Sequence, residues 1–162
     1  MTDISSQEDV LDVRDIIERV EELRGERDDL KEYLAEAIEA LNGHDETCMS
    51  DIAELKADVD TRQNDLAEWL ASSEAAELAQ LESLLDDMKG YGGDHEWEGD
   101  WYPVTLIRDS YFEDAMRELV QDIGDLPKEI PSYLAIDWEQ TAKNLQQDYS
   151  SVEFDDVTYW YR

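Results

Sequence analysis

The sequence predicts a mostly helical protein with a small α+β domain at its C-terminal end. Over residues 1–90, apolar residues recur every three or four positions and a short linker interrupts them, which favours a helical hairpin or coiled-coil arm. After Tyr149 the apolar period changes to two, and aromatic and β-branched residues become frequent, which is typical of strands. We therefore expect an arm over residues 1–90, a linker over 91–103 and a small α+β domain over 104–162.

The first helix carries a regular apolar seam that includes one charged residue, Arg27. The spacing of Ser5 and Glu8 is that of a capping box, so the helix is expected to begin there, and Asn42-Gly43 is a suitable end. The seam consists of Val13, Ile16, Val20, Leu23, Arg27, Leu30, Leu34, Ala37 and Leu41. These steps of three and four place all its members on one helix face.

A second helix is expected to begin at Asp51, where the spacing to Glu54 again matches a capping box. Its seam consists of Ile52, Leu55, Val59, Arg62, Leu66 and Trp69. The register breaks near Ser72-Ser73, which predicts a kink or a restart, and a new stripe of Leu78, Leu81, Leu85 and Met88 follows. The two seam arginines, Arg27 and Arg62, need carboxylate partners, and Glu26 and Asp65 are the candidates.

The C-terminal part is expected to contain a strand, two helices and a hairpin. The strand covers Val104–Ile107, and a capping box at Ser110 opens a helix that continues through Asp122. A second box, Asp137 to Gln140, opens a helix that buries Ala142 and Leu145. The final hairpin turns at Asp155-Asp156, which requires positive φ at both residues. The expected core residues are Trp138, Leu145, Phe154, Tyr159 and Trp160, with both faces of the last strand covered.

Three runs in this part, YLAIDWEQTAKNL, QQDY and VEFDDVTYWYR, resemble the C-terminal part of antirestriction proteins of the ArdA type and their phage relatives. The resemblance covers residues 104–162 and is most specific from Tyr133 onward. The β-rich opening half of that family is not recognisable in this chain. The resemblance implies a small acidic protein that mimics DNA and blocks DNA-binding defence enzymes.

Acidic residues dominate both halves of the chain. The sequence has 44 acidic and 13 basic residues, for a net charge of −31. Such a balance argues against direct binding to nucleic acid or to an anionic membrane, both of which need Lys and Arg. A halophilic origin is an alternative explanation of the acidity, whereas 41% hydrophobic content disfavours disorder.

Residues for catalysis or metal binding are scarce. The chain has one cysteine, two histidines, and no glycine-rich phosphate loop or nucleophile motif, so we expect no enzyme, no cofactor and no metal. The loop Asp94–Asp100 matches the first half of a calcium loop, but Thr105 stands where the bidentate Glu is needed. Its binding of a cation stays open, and the alternative is a solvated acidic loop with Trp97 and Trp101 tucked beneath it.

The N-terminal segment lacks a signal-peptide pattern, and no apolar run reaches the length of a membrane span, which predicts a cytoplasmic protein. Carboxylates are then the best candidates for function, because they form a stripe on the outer face of the first helix and a cluster after Ser110. These residues are Asp15, Glu18, Glu22, Asp29, Glu32, Glu36, Glu39, Glu113, Asp114, Glu118, Asp122 and Asp125.

These observations lead to one functional hypothesis and one alternative. The hypothesis is an acidic DNA mimic that occupies the DNA site of a host restriction–modification or CRISPR complex, with no affinity for DNA itself. The alternative is a coiled-coil scaffold whose acidic surface serves solubility. In both cases the open apolar seams predict a homodimer.

Overall fold

The structure is a computed structural model that describes residues 4–43, 49–93, 95–124, 126 and 129–162. Its elements are β1 (Val10–Asp12), α1 (Val13–Gly43), α2 (Met49–Leu70), α3 (Ser73–Met88), β2 (His95–Trp97), β3 (Asp100–Tyr102), β4 (Thr105–Arg108), a 3-10 turn (Asp109–Tyr111), α4 (Phe112–Asp122), α5 (Trp138–Gln146), β5 (Ser150–Phe154) and β6 (Val157–Tyr161). The predicted fold class is confirmed, because a long helical part precedes a small α+β part. None of the helices in these described ranges is long and apolar enough to cross a membrane.

The chain divides into two compact units. The helical unit is Glu18–Glu82, and the mixed unit combines Met1–Ile17 with Ser83–Arg162. This division differs from the predicted boundaries, since the N-terminal residues group with the C-terminal sheet. The predicted linker, residues 91–103, contains the β2–β3 hairpin and is part of the mixed unit.

The mixed unit contains an antiparallel sheet with the strand order β1-β4-β6-β5. Leu11 of β1 pairs with Leu106 of β4, and both side chains are fully buried. The Tyr159 hydroxyl of β6, as donor, lies 3.0 Å from the carbonyl oxygens of both Ser6 and Glu8. The first strand and the segment before it are therefore held by residues that lie far away in the sequence.

The predicted helix start at Ser5 is wrong. Ser5 begins a turn, in which the Glu8 amide donates to its carbonyl at 3.1 Å, and β1 follows. The cap of α1 is Asp12, whose Oδ1 accepts from the Arg14 amide at 2.8 Å. The capping-box spacing fails because the residues after it bond to the sheet: the Arg108 amide donates to the Asp9 carbonyl at 2.8 Å.

The hairpin of β5 and β6 turns as predicted. Asp155 and Asp156 have φ values of 50° and 60°, so both adopt the left-handed conformation that a two-residue hairpin loop requires. On β6, Tyr159 and Tyr161 are buried on one face, while Trp160 on the other face is half-buried. The last strand is therefore covered on both sides, as expected.

Helices α4 and α5 pack against one face of this sheet. Phe112, Met116 and Ala142 form the buried centre, and the Phe112 ring lies 5.9 Å from that of Trp160. Of the expected core residues, Phe154 and Tyr159 are buried, whereas Trp138, Leu145 and Trp160 are half-buried.

The two predicted caps in this region have opposite outcomes. Asp137 caps α5 as predicted, because its Oδ1 accepts from the Gln140 amide at 2.9 Å, although the Gln140 side chain donates to Asn144 instead of reaching back. The capping box at Ser110 is wrong. Residues 109–111 form a 3-10 turn, and α4 begins at Phe112 without a side-chain cap.

The helical unit is a hairpin to which a third helix is added. The Arg62 guanidinium lies 5.6 Å from the Tyr33 ring centre, and the Trp69 indole donates to Glu26 at 3.4 Å, so α2 runs antiparallel to α1. The predicted linker between the two helices covers residues 44–50; residues 44–48 lie outside the described residues, and Met49 and Ser50 belong to α2. The break at Ser72-Ser73 is a restart, because α2 ends at Leu70 and the Ser72 hydroxyl accepts from an amide in the first turn of α3.

The apolar seam of α1 faces inward, as predicted, but its leucines become less buried toward the C-terminal end of the helix. Val20 and Leu23 are fully buried, whereas Leu30, Leu34 and Leu41 are half-buried. The expected partners of the seam arginines are wrong. Arg27 pairs with the adjacent Asp28 at 2.9 Å, and Arg62 pairs with Asp58 at 3.4 Å, since carboxylates on the same helix are reached more easily.

Candidate functional site

The burial of the α1 seam determines which carboxylates point outward. A residue two positions after a seam residue lies about 200° around the helix, because each residue turns it by about 100°. The predicted stripe has this offset, and all of its members on α1 are exposed: Asp15, Glu18, Glu22, Asp29, Glu32, Glu36 and Glu39. Asp15 belongs to the mixed unit and the others to the helical unit. Gly25 interrupts the stripe, so Asp29, Glu32, Glu36 and Glu39 form a continuous outer row.

Two arginines of α1, Arg19 and Arg24, bond to carboxylates inside the helical unit. Arg19 is 8% exposed, and its guanidinium donates twice to Glu77 at 2.8 Å and once to Glu22 at 2.7 Å. The hydrogen bond to Glu77 is the main reason that the pKa of Arg19 is raised above its ordinary value. Arg24 donates to Glu82 at 2.6 Å. These arginines connect α1 to α3 and are not available to neutralise the outer row.

One carboxylate near the middle of α1, that of Asp28, accepts hydrogen bonds from two cationic side chains. Asp28 accepts from Arg27 at 2.9 Å and from Lys31 at 3.3 Å, and these bonds, that of Arg27 first, hold its pKa below the ordinary value. Asp29 and the rest of the outer row make no hydrogen bond or ion pair with any described side chain. No Lys or Arg occurs between Lys31 and the end of α1 at Gly43. The outer row is therefore a negative surface without internal compensation.

The spacing of the outer row can be compared with that of DNA phosphates. Ten residues separate Asp29 from Glu39, which corresponds to about 15 Å along the helix axis at 1.5 Å per residue. Four carboxylates over this length give about one charge per 5 Å. A strand of B-DNA has one phosphate per 3.4 Å or so along its axis, so the outer row has about two thirds of that density.

The sequence-based set omits a second group of carboxylates, on α2. This helix contains six acidic and two basic residues, and Glu54, Asp60, Asp65 and Glu68 are all exposed. One of its two cations, Arg62, is paired with Asp58. A count of charges along α2, like the one made for α1, would have identified this group from the sequence.

The C-terminal cluster is partly neutralised. Arg117 donates to Glu113 at 2.9 Å and to Asp114 at 3.2 Å, and it stacks over the Trp138 ring at 5.4 Å. Glu118 accepts from the Tyr111 hydroxyl at 3.3 Å; partial burial, and then this carboxylate, raise the pKa of Tyr111.

Of the remaining two members of this cluster, the structure describes Asp122 but not Asp125. Asp122 is exposed and has no partner among the described side chains, and Asp125 lies outside the described residues. On α4, unlike on the outer row, most of the carboxylates thus share one arginine or one phenol.

The candidate calcium loop is a β-hairpin. Glu98 and Gly99 form its turn with φ values of 52° and 82°, and Asp100 pairs with Lys89 at 3.0 Å. Trp97 packs against Tyr102, but Trp101 is 45% exposed, which corrects the expectation that both tryptophans lie beneath the loop. The pairing places Trp101 beside Glu96, on the face opposite to Trp97.

Two further results bear on identity and chemistry. Within the described ranges, no group of three or more His, Cys, Asp or Glu side chains is placed to hold a metal ion, and Asp94 of the candidate loop lies outside those ranges. No family model, curated protein or solved structure matches this chain significantly. The resemblance of residues 104–162 to antirestriction proteins therefore stays a prediction.

Proposed function

We propose that this protein inhibits a prokaryotic DNA-binding defence system by occupying its DNA site. The observation that carries the proposal is the outer row of Asp29, Glu32, Glu36 and Glu39, which is exposed and pairs with no cation among the described side chains, since the neighbouring Lys31 bonds to Asp28. The resemblance of the C-terminal part favours a type I restriction–modification enzyme as the target. A CRISPR effector is the other target class, because the helical unit has no counterpart in that family.

The inhibition is competitive and needs no covalent step or cofactor. A DNA site presents Lys and Arg side chains that normally contact phosphates, and exposed carboxylates offer them oxygen acceptors of the same charge. The arginines of the helical unit are already paired with Glu77, Glu82 and Asp28, so the surface charge stays negative as the target approaches. The net charge of −31 adds long-range attraction toward a basic site. The host cytoplasm, where such enzymes act, is the proposed location.

A displacement experiment tests this proposal. A type I restriction–modification enzyme, or in parallel a CRISPR effector, is bound to a fluorescent duplex, and this protein is added while anisotropy is followed. We expect release of the duplex at low salt, and weaker release as salt rises from about 0.05 to 0.2 M, because exposed charges are screened over about 10 Å. The protein alone should leave the anisotropy of the duplex unchanged. If the protein displaces DNA from neither of the two targets at low salt, the proposal is rejected.

A second candidate function, a scaffold that self-associates through the helical unit, is favoured by apolar side chains near the far end of α1. Tyr33 and Ile38 are 48% and 38% exposed, and Leu34 and Leu41 are half-buried. This candidate predicts a homodimer that is not weakened as salt rises, because apolar burial is not screened and salt reduces the repulsion between two acidic protomers. Light scattering at micromolar concentration tests the association: a monomer rejects the predicted homodimer and the self-associating scaffold, and it leaves the displacement of DNA to its own experiment.

A further inference from the structure

The helical unit contains an open cleft of about 330 Å³ between α1, the end of α2 and the start of α3. It is lined by Glu26, Leu30, Asp65, Glu68, Trp69, Ser72 and Glu74. The lining combines one aromatic ring, one aliphatic side chain, one hydroxyl and four carboxylates. None of these residues belongs to the outer row, and the cleft is therefore a separate feature of the acidic surface.

Helical spacing brings these side chains together. Glu26 and Leu30 are one turn apart on α1, while Asp65, Glu68 and Trp69 lie on one face of α2 at steps of three and four residues. The Trp69 indole N–H donates to a Glu26 carboxylate oxygen at 3.4 Å, and this bond links the ring to α1. Trp69 is half-buried, so part of the ring remains accessible.

The cleft has negative charge and no cation in its lining. The sequence suggested Glu26 and Asp65 as partners of the seam arginines, but Arg27 and Arg62 pair with carboxylates on their own helices. Hydrogen bonds, first from its own backbone amide and then from the Ser73 and Ser72 hydroxyls, lower the pKa of Glu74. The lining therefore presents four carboxylates and one aromatic ring, with no cation among its residues.

We propose that this cleft binds a guanidinium group carried on an aliphatic stem. A planar guanidinium stacks on an indole face and donates N–H groups in a fork that carboxylates accept, while its methylene stem packs against an apolar side chain such as Leu30. An anion would be repelled by four carboxylates. A neutral apolar ligand would remove water from those carboxylates without giving them donors, which is costly.

The acidic surroundings favour one source for this group, an arginine side chain in the DNA site of the target. Only this choice of source rests on the proposed function. The binding of a guanidinium compound by the cleft depends on the cleft alone, and it can be measured without any target present.

The test follows the indole signals of the full-length ¹⁵N-labelled protein by NMR while N-acetyl-arginine amide is added. We expect a saturable shift of the Trp69 indole signal, which Trp69→Leu assigns by removing it. N-acetyl-citrulline amide, which has nearly the same shape and no charge, should produce no such shift. The double variant Glu26→Gln/Asp65→Asn should weaken binding about fivefold, since each exposed charge pair contributes up to about 1 kcal/mol.

The matched control is Glu54→Gln/Asp60→Asn, which removes two exposed charges of the helical unit outside the cleft. It should change the affinity less than twofold. An equal loss in the control, an equal response to the citrulline compound, or shifts of similar size at all five indoles would overturn the proposal, because each indicates general attraction to an acidic surface.

The source is tested separately in the displacement experiment. If a target arginine occupies the cleft, Glu26→Gln/Asp65→Asn should weaken displacement of the duplex and the matched control should not. If the double variant no longer binds N-acetyl-arginine amide in NMR but displaces the duplex as well as the unmodified protein does, a target arginine is not the occupant of the cleft. A failed NMR titration rejects the cleft while leaving the outer row and the proposed function to their own test.

Discussion

Replacing Glu77 by Gln tests whether the cations of the helical unit have a structural role. The Arg19 Nε and Nη2 atoms donate to the two oxygens of Glu77, both at 2.8 Å, and the Arg19 side chain is 9% exposed while that of Glu77 is 27% exposed. Loss of one partner from a fully buried pair costs about 3–5 kcal/mol, whereas an exposed pair is worth about 1 kcal/mol or less. This pair lies between those limits, and Glu22 continues to contact Arg19, so we expect a loss of about 2 kcal/mol.

Urea denaturation followed by far-UV circular dichroism measures this loss, because most of the helix lies in α1, α2 and α3. The matched variant is Glu54→Gln, an exposed carboxylate without a described cation, which should change the free energy of unfolding by less than about 0.5 kcal/mol. The loss for Glu77→Gln should persist at high salt because the pair is partly buried. A loss no greater than that of Glu54→Gln would refute the structural role of Arg19. Arg19 would then be available to neutralise the acidic face.

Two further predictions concern the mixed unit, whose unfolding is reported by four of the five tryptophans. Asp156→Gly should stabilise it by about 1 kcal/mol, since φ is 60° there, while Asp148→Gly, at a position without positive φ, should give no gain. Tyr159→Phe should cost about 1 kcal/mol at neutral pH, because the carbonyls of Ser6 and Glu8 lose their donor. Burial raises the pKa of Tyr159 above the ordinary 10.0. The neutral phenol therefore stabilises the folded protein below pH 10, and this contribution is lost as pH rises through the higher folded-state pKa. The free energy of unfolding of Tyr159→Phe should fall less over this range, and an identical pH dependence of the two proteins would contradict this.

Features that depend on nearby residues could be predicted from the sequence. The seam of α1 follows from the spacing of its apolar residues, and the restart at Ser72-Ser73 follows from the break in that spacing. The turn at Asp155-Asp156 is local as well, because only a two-residue loop joins the two alternating runs. In each case the signal and the structure lie within a few residues of one another.

Features that depend on distant partners could not be predicted in this way. The strand β1 has three residues, and it forms because β4, more than ninety positions later, offers it a ladder of hydrogen bonds. A capping-box spacing at Ser5 cannot compete with that pairing, since no helical apolar period begins before Val13.

The same limit applies to the candidate site. Exposure of the carboxylates followed from the opposite seam, but their pairing did not, because Arg19 meets Glu77 across 58 positions. The sequence therefore identified the outer row without showing that its neighbouring cations are already engaged. The sequence also suggested Glu26 and Asp65 as partners of the seam arginines, which is wrong. Their position in a cleft beside Trp69 depends on how α1 packs against α2, which sequence spacing alone does not show.

The most direct test of the DNA-mimic account compares two sets of four neutral substitutions in the displacement experiment at low salt. One set is Asp29→Asn, Glu32→Gln, Glu36→Gln and Glu39→Gln on α1, and the other is Glu113→Gln, Asp114→Asn, Glu118→Gln and Asp122→Asn on α4. Both sets change the net charge equally. We expect the α1 set to weaken displacement of DNA about tenfold or more, since four exposed pairs contribute up to about 1 kcal/mol each, and the α4 set to have a smaller effect because Arg117 already shares its carboxylates. Unchanged displacement by both sets, with displacement abolished by a polar substitution of Leu34 in the seam, would contradict the account and support the scaffold.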